Sequence, residues 1–128
     1  MFDCWIPFLP PGINCQYGHS RYGKWYLTPR ARKWKQDASI FIGARAGQLS
    51  WQDCGKRYIF EMTVCGSRAD ADAYIKTVVD TVTSKLGFDD RRICEVTARK
   101  RPLPEMRREL NCIGSERAGI YVVVRPEE

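Results

Sequence analysis

The clearest helical period in the chain lies between two runs that alternate like β-strands. Ile75, Val78, Val79, Val82 and Leu86 recur at helical spacing and would bury one stripe, while Lys76, Asp80 and Lys85 fall off it. Gly87 then supplies a C-terminal stop. Upstream, Lys56 to Val64 has the pattern of a strand, with Tyr58, Phe60, Thr63 and their neighbours near alternation. Downstream, Ile93 to Lys100 sets Cys94, Val96 and Ala98 against Glu95, Thr97 and Arg99. A strand, an amphipathic helix and a strand in succession require a sheet with a helix packed upon it.

The helix is entered through Arg68-Ala69-Asp70-Ala71-Asp72-Ala73-Tyr74-Ile75-Lys76. Asp70 falls on the loop or at the N-cap, and Asp72 in the first turn, where a carboxylate suits the positive helix end. Lys76 follows Asp72 by four residues. At roughly 3.6 residues per turn the two side chains project from neighbouring turns on one side. A carboxylate pair with an adjacent ammonium is predicted.

After Gly87 come Asp89 and Asp90, and a helix packing back along its neighbouring strand would return one of these acids towards Asp70 and Asp72. Carboxylates sharing a site repel unless a cation or protons neutralise them. Oxygen-only ligands select a hard divalent ion, Mg²⁺ before Zn²⁺. The plainer alternative is that Asp70 and Asp72 cap a helix while Asp89 and Asp90 form a solvated turn.

A chain of 128 residues suffices for one domain, 1–128, with a substantial core, and not for two ordinary ones. No apolar run approaches the roughly 18 or more residues of a membrane span, which points to a soluble globular chain. The net charge of +6 and the pI near 9.1 make a polyanionic partner the expectation. The Met1-Phe2-Asp3-Cys4 start lacks the basic and apolar regions of a secretory signal, so the expected location is cytoplasmic.

In that compartment the cysteines at 4, 15, 54, 65, 94 and 112 are expected as free thiols. With no C-x-x-C pair and His19 as the sole histidine, a Cys/His zinc site has no support. Cys4, Cys65 and Cys94 fall in strand-like patterns as small core residues.

Elsewhere, Phe2 to Phe8 alternates through Phe2, Cys4 and Ile6 as a strand broken by Pro7 and by Pro10-Pro11-Gly12. Asn14 to Lys24 is a Gly-rich loop. With its flank it carries Tyr17, His19, Arg21, Tyr22, Lys24, Trp25 and Tyr26, cations and aromatics suited to phosphate contacts and base stacking. Trp25 and Tyr26 suit packing beneath the loop equally well.

Thr28-Pro29 starts a helix, with Thr28 as N-cap. Ala31, Trp34, Ala38 and Phe41 or Ile42 follow at helical spacing, ending before Gly43 or Gly47, and Arg30, Arg32, Lys33 and Lys35 lie on the other face. Gln48 to Gly55 is a polar loop, and Arg99-Lys100-Arg101 is the densest basic run. Pro104 to Leu110 fits one or two helical turns within the longer Pro102 to Glu116 segment, and Gly119 to Arg125 is the clearest strand. The order β, α, β, α, β, β predicts an α+β fold, a small mixed β-sheet covered by two helices in two layers.

These pieces, taken in order, resemble the RusA-type Holliday-junction resolvases, small crossover-junction endodeoxyribonucleases. Leu9-Pro10-Pro11-Gly12-Ile13-Asn14 resembles the family's early Pro-Pro-x-x-Asn turn, and Thr28 to Ala38 its first helix. Asp70-x-Asp72-x-x-x-Lys76 resembles the central motif, and Gly87-Phe88-Asp89-Asp90-x-x-Ile93 the acidic turn before the next strand. The chain departs from the family at Ala73, where an asparagine is usual, and in an arginine cluster reduced to Arg68.

The resemblance implies a homodimeric, Mg²⁺-dependent nuclease, with Mn²⁺ as a substitute metal, that nicks both opposed strands of a four-way DNA junction in recombination and repair. It implies Asp70, Asp72 and Asp90 as catalytic metal ligands, with Asp89 less favoured than Asp90, and Lys76 as the essential lysine. Arg68, Lys24, Arg99, Lys100 and Arg101 are the expected DNA contacts. Two other readings compete: a junction-binding protein that has lost catalysis, motivated by Ala73, and a Mg²⁺-dependent phosphoester enzyme acting on nucleotides. The second lacks a G-x-x-x-x-G-K-[ST] phosphate loop.

Overall fold

The structure, a computed structural model, describes residues 1–11, 17–19, 23, 25–67, 69–102 and 118–127. β1 (Phe2–Ile6) is the expected N-terminal strand and buries Phe2, Cys4 and Ile6 before Pro7 ends it. β2 (Tyr17–His19) and β3 (Trp25–Leu27) pair antiparallel as a separate two-stranded sheet where the sequence suggested only a loop. Strands of three residues are too short to show a period.

α1 (Pro29–Gln48) starts as expected: Thr28 is extended, and its Oγ1 accepts the Ala31 N–H at 3.3 Å. Ala31, Trp34, Ala38 and Ile42 are buried, whereas Phe41 is exposed. The helix passes through both glycines expected to stop it. At Gly43 the helix lies beside α2 (Ile75–Leu86), where a Cβ would meet only the flexible end of the Lys85 side chain, Cε at 2.8 Å. Gly87 does close α2, at φ 85°.

β4 (Tyr58–Cys65), β5 (Ile93–Arg101) and β6 (Gly119–Pro126) join β1 in one sheet of order β1-β6-β4-β5. β6 runs antiparallel to β1 and β4, and β4 runs parallel to β5. Parallel neighbours cannot be joined by a tight turn, and α2 is the crossover between them. The fold is the expected α+β arrangement of a mixed sheet with two helices, with the β2–β3 pair added. Lys24, Arg68, Asn14 and the helical turns expected at Pro104 to Leu110 lie outside the described residues.

Phe60, Met62 and Val64 of β4 and Ile120, Val122 and Val124 of β6 share one face of the sheet with the buried β1 residues. They meet Trp34, Ala38 and Ile42 of α1 and Val78, Val82 and Leu86 of α2. Cys4 and Cys65 are buried as expected; Cys94 is only half-buried. β5 is an edge strand without clean alternation of burial, and its Val96 remains 41% exposed.

The register defines two ends. Ile6, Ile120, Val64 and Lys100 form one row across the sheet, and Phe2, Val124, Phe60 and Val96 another. At the end marked by the first row β1, β4 and β5 finish and β6 begins. α1 starts there too, because Trp34 Nε1 donates to the Phe8 carbonyl at 3.2 Å, while Arg45 near its C-terminus donates to the Asp3 carbonyl at 3.0 Å. α2, returning from β4 to the start of β5, also begins at that end.

Truncating the core should therefore be costly where burial is complete and cheap where it is not. Ile42→Ala should lower unfolding stability by about 2–5 kcal/mol in a urea titration, through lost burial and a residual cavity. Ile40→Ala, two positions away and 70% exposed, should change it by less than about 0.5 kcal/mol.

Candidate functional site

β4 delivers the chain to Gly66, whose φ of 74° turns it out of the sheet and whose N–H donates to the Arg101 carbonyl at 3.3 Å. Ser67 Oγ then accepts the Ala69 N–H at 3.0 Å and shares a 2.7 Å hydroxyl–hydroxyl hydrogen bond with Tyr74. Asp70 follows in extended conformation at the head of a 3₁₀ turn over Ala71–Tyr74. Its carbonyl accepts the Ala73 N–H at 3.1 Å, but its side chain makes no capping hydrogen bond. Asp72 lies in the first turn, and both carboxylates and Lys76 are exposed.

The local geometry departs from the sequence expectation in one respect. A continuous α-helix was expected to relate Asp72 to Lys76, yet the α-helix begins at Ile75 and the motif before it is a tighter 3₁₀ turn. Tyr74 accounts for the change. Its ring is buried in the core and its hydroxyl is tied back to Ser67, which draws the chain in ahead of the helix.

The same end of the sheet carries the basic run. Arg99, Lys100 and Arg101 stand beside Thr63, Val64 and Cys65, the last residues of β4. Gly66, Ser67, Lys100, Arg101 and Pro102 line an open cleft of about 280 Å³ between the ends of β4 and β5. In open sheets, ligands lodge where parallel strands finish and helices start. Here that position combines two exposed carboxylates, a lysine and a basic cleft.

Asp90 is elsewhere. It heads a second 3₁₀ turn, Asp90–Arg92, that leads into β5, and β5 starts beside Tyr58, the first residue of β4. Asp70 follows the last residue of β4, so the length of the strand, about 23 Å at ~3.3 Å per residue, separates the two positions. One chain thus brings Asp70 and Asp72 together and holds Asp90 apart. Among the described residues, no group of three or more His, Cys, Asp or Glu side chains is placed to hold a metal ion. Asp89 serves its own turn: its Oδ1 accepts the Arg91 N–H at 2.9 Å, which holds its carboxyl below the usual range.

The end near Asp90 carries a polar cluster that the sequence reading missed. Arg92 grips Asp53 with two hydrogen bonds of 2.5 and 2.6 Å, and its guanidinium lies 5.2 Å from the Tyr58 ring centroid. The Tyr58 hydroxyl donates to Asp53 Oδ1 at 2.7 Å and accepts the Cys54 N–H at 2.9 Å. Arg92 and Asp53 are 39 residues apart, and no local spacing announces such a pair. The cluster closes this end by strapping the loop before β4 to the entry of β5. Burial pushes the Tyr58 phenol above its ordinary value, and the hydrogen bonds to Cys54 and Asp53 add to the rise. Burial likewise pushes the Cys4 thiol up to about 11, in keeping with a core residue.

No family model matches the chain, and no curated protein matches it. The likeness to RusA-type resolvases rests on the motif residues themselves. Among the described residues no helix is long and apolar enough to cross a membrane.

The strap makes a pH prediction. Hydrogen bonds from Arg92, then from the Gly55 N–H and Tyr58, hold the Asp53 carboxyl well below the usual carboxylate range. A carboxyl depressed in the folded state stabilises the fold above its unfolded value and loses that contribution as pH falls through the folded value. Asp53→Asn should therefore lower Tm at pH 7, and the gap from wild type should narrow in thermal melts taken towards ~pH 2.

Proposed function

We propose that this chain is a structure-selective endodeoxyribonuclease of the RusA type, acting on branched DNA as a homodimer. The observation that carries the reading is the convergence of Asp70, Asp72 and Lys76 with Arg99, Lys100 and Arg101 at the end where β4 and β5 finish. A polyanion approaching that end meets a basic strand end beside the carboxylates, in a chain of net charge +6.

Two exposed carboxylates with oxygen-only donors suit Mg²⁺, which keeps several waters and completes its shell with substrate phosphate instead of an all-protein cage. Asp70 and Asp72 would hold it. Once bound, Mg²⁺ supplies charge neutralisation at the scissile phosphate and a more acidic water. Lys76 stabilises negative charge on the phosphate oxygens or protonates the leaving oxygen. Arg99, Lys100 and Arg101 hold backbone phosphates, with Arg68 and Lys24 as further contacts in the sequence. Paired nicks require two such sites on opposed strands, which a two-fold dimer provides.

The remote position of Asp90 favours a second reading, a junction-binding protein without catalysis. Cleavage of a labelled four-way DNA junction with Mg²⁺ or EDTA, beside linear duplex of the same sequence, separates the two. Symmetrical nicks should appear only with the junction and Mg²⁺, vanish in Asp70→Asn and Asp72→Asn without loss of binding, and slow by about 10²-fold or more in Lys76→Ala. Tight binding without nicks in the wild type would establish the second reading instead.

If Asp90 takes part in cleavage, it must reach Asp70 and Asp72 from a second copy of the chain. Asp70→Asn and Asp90→Asn, each inactive alone, should then regain nicking when mixed, because a mixed dimer keeps one site intact. Full activity of Asp90→Asn alone would remove that residue from the reaction.

A further inference from the structure

An aspartate in extended conformation at the head of a helical turn ordinarily spends its side chain on the N–H groups of the turn. Asp70 has that backbone, φ −66° and ψ 150°, and its carboxylate makes no such bond. The turn is closed by other groups. Tyr74, 6% exposed, packs within the core that includes Val78 and Val64, and its hydroxyl lies 2.7 Å from Ser67 Oγ. Ser67 Oγ in turn accepts the Ala69 N–H at 3.0 Å, fixing the residue just before Asp70.

The hydroxyl pair bridges residues 67 and 74, so the segment carrying Asp70 and Asp72 is a loop tied at both ends, with the carboxylates on its exposed side. A buried phenol that lost its partner would be left unsatisfied, which gives the tie its energetic weight. Ser67 Oγ has two lone pairs and one proton, enough to take the Ala69 N–H and to bond Tyr74 at once.

We infer that Ser67 and Tyr74 are positioning residues for the Asp70 and Asp72 carboxylates, closing their turn so that neither acid is consumed in capping. The effect on cleavage rests on the nuclease reading above; the effect on the turn does not. Holding a reacting constellation in register matters because a misplacement of about 1 Å can cost ~10²-fold in rate.

The test compares wild type with Tyr74→Phe, Ser67→Ala and Ser67→Thr. Amide hydrogen exchange is followed over residues 67–74, and single-turnover nicking is measured beside junction affinity. Tyr74→Phe and Ser67→Ala should speed exchange at Ala69 several-fold and lower the nicking rate by about 10- to 100-fold, with junction Kd within twofold. Ser67→Thr, which keeps the hydroxyl, should retain the wild-type values. Unchanged exchange in both hydroxyl deletions would overturn the inference, as would a rate loss no larger than the loss of junction binding. Faster exchange in the hydroxyl deletions, beside a wild type that nicks no junction, would uphold the closure of the turn and remove the nuclease reading.

Discussion

The parallel pairing of β4 with β5 is the constraint from which the functional geometry follows. Because the two strands run the same way, the chain leaving β4 must be carried the length of the sheet before β5 can start, and α2 does this. That one connection assigns every charged group near it to an end. Residues just after β4, Asp70 and Asp72, share their end with the last residues of β5, Arg99 to Arg101, whereas Asp90 and Arg92, just before β5, are sent to the other. An antiparallel pair would have reversed the assignment, placing the acids of the second turn beside those of the first. The core enforces the arrangement, since Val78, Val82 and Leu86 can meet Phe60, Met62 and Val124 only while α2 lies across them.

The two ends are built from different chemistry. At the Asp90 end one cluster is tied down: Arg92, Asp53 and Tyr58 are joined by short hydrogen bonds, and the guanidinium is stacked near Tyr58 and Phe88. Charge-assisted bidentate pairing of this kind gives geometric specificity and leaves little donor capacity for a ligand. At the opposite end the Asp70 carboxylate makes no capping bond, Asp72 and Lys76 are exposed, and Lys100 and Arg101 border an open cleft. It is this second end that the proposed function uses.

Much of this was legible in the sequence, and the parts that were not have physical reasons. The helices were marked by Thr28-Pro29 and by the Ile75 to Leu86 stripe, and the strands by alternation, because these signals are local. α1 overran Gly43 because burial of Ala38 and Ile42 against the core holds the helix together, a tertiary effect that outweighs the low propensity of one glycine. The sense of the β4–β5 pairing decides where Asp90 goes; the strand–helix–strand order favours a parallel crossover, and the expected return of Asp90 towards Asp70 and Asp72 did not follow it through. The Arg92–Asp53 strap was invisible because its partners lie 39 residues apart. Asp70, Asp72 and Lys76 were singled out by their spacing and then by motif resemblance; the 3₁₀ turn beneath them was missed because Tyr74 counted as one more position in a helix, when its hydroxyl ties to a serine upstream.

The position of the two acids at the head of α2 also explains why the fold tolerates them. Carboxylates near the first turn of a helix gain about 0.3–1 kcal/mol from the positive end of the helix dipole. They stand near a strand end that carries Arg99, Lys100 and Arg101, so charge of the opposite sign lies close by. Solvent keeps their desolvation cost low. A pair of acids placed in this way stays in contact with water, whereas the same two groups within the core would each need a cation or a proton to be stable. The basic run thus offsets repulsion between the acids and, in the nuclease proposed above, would also offer the first contacts to a phosphate backbone.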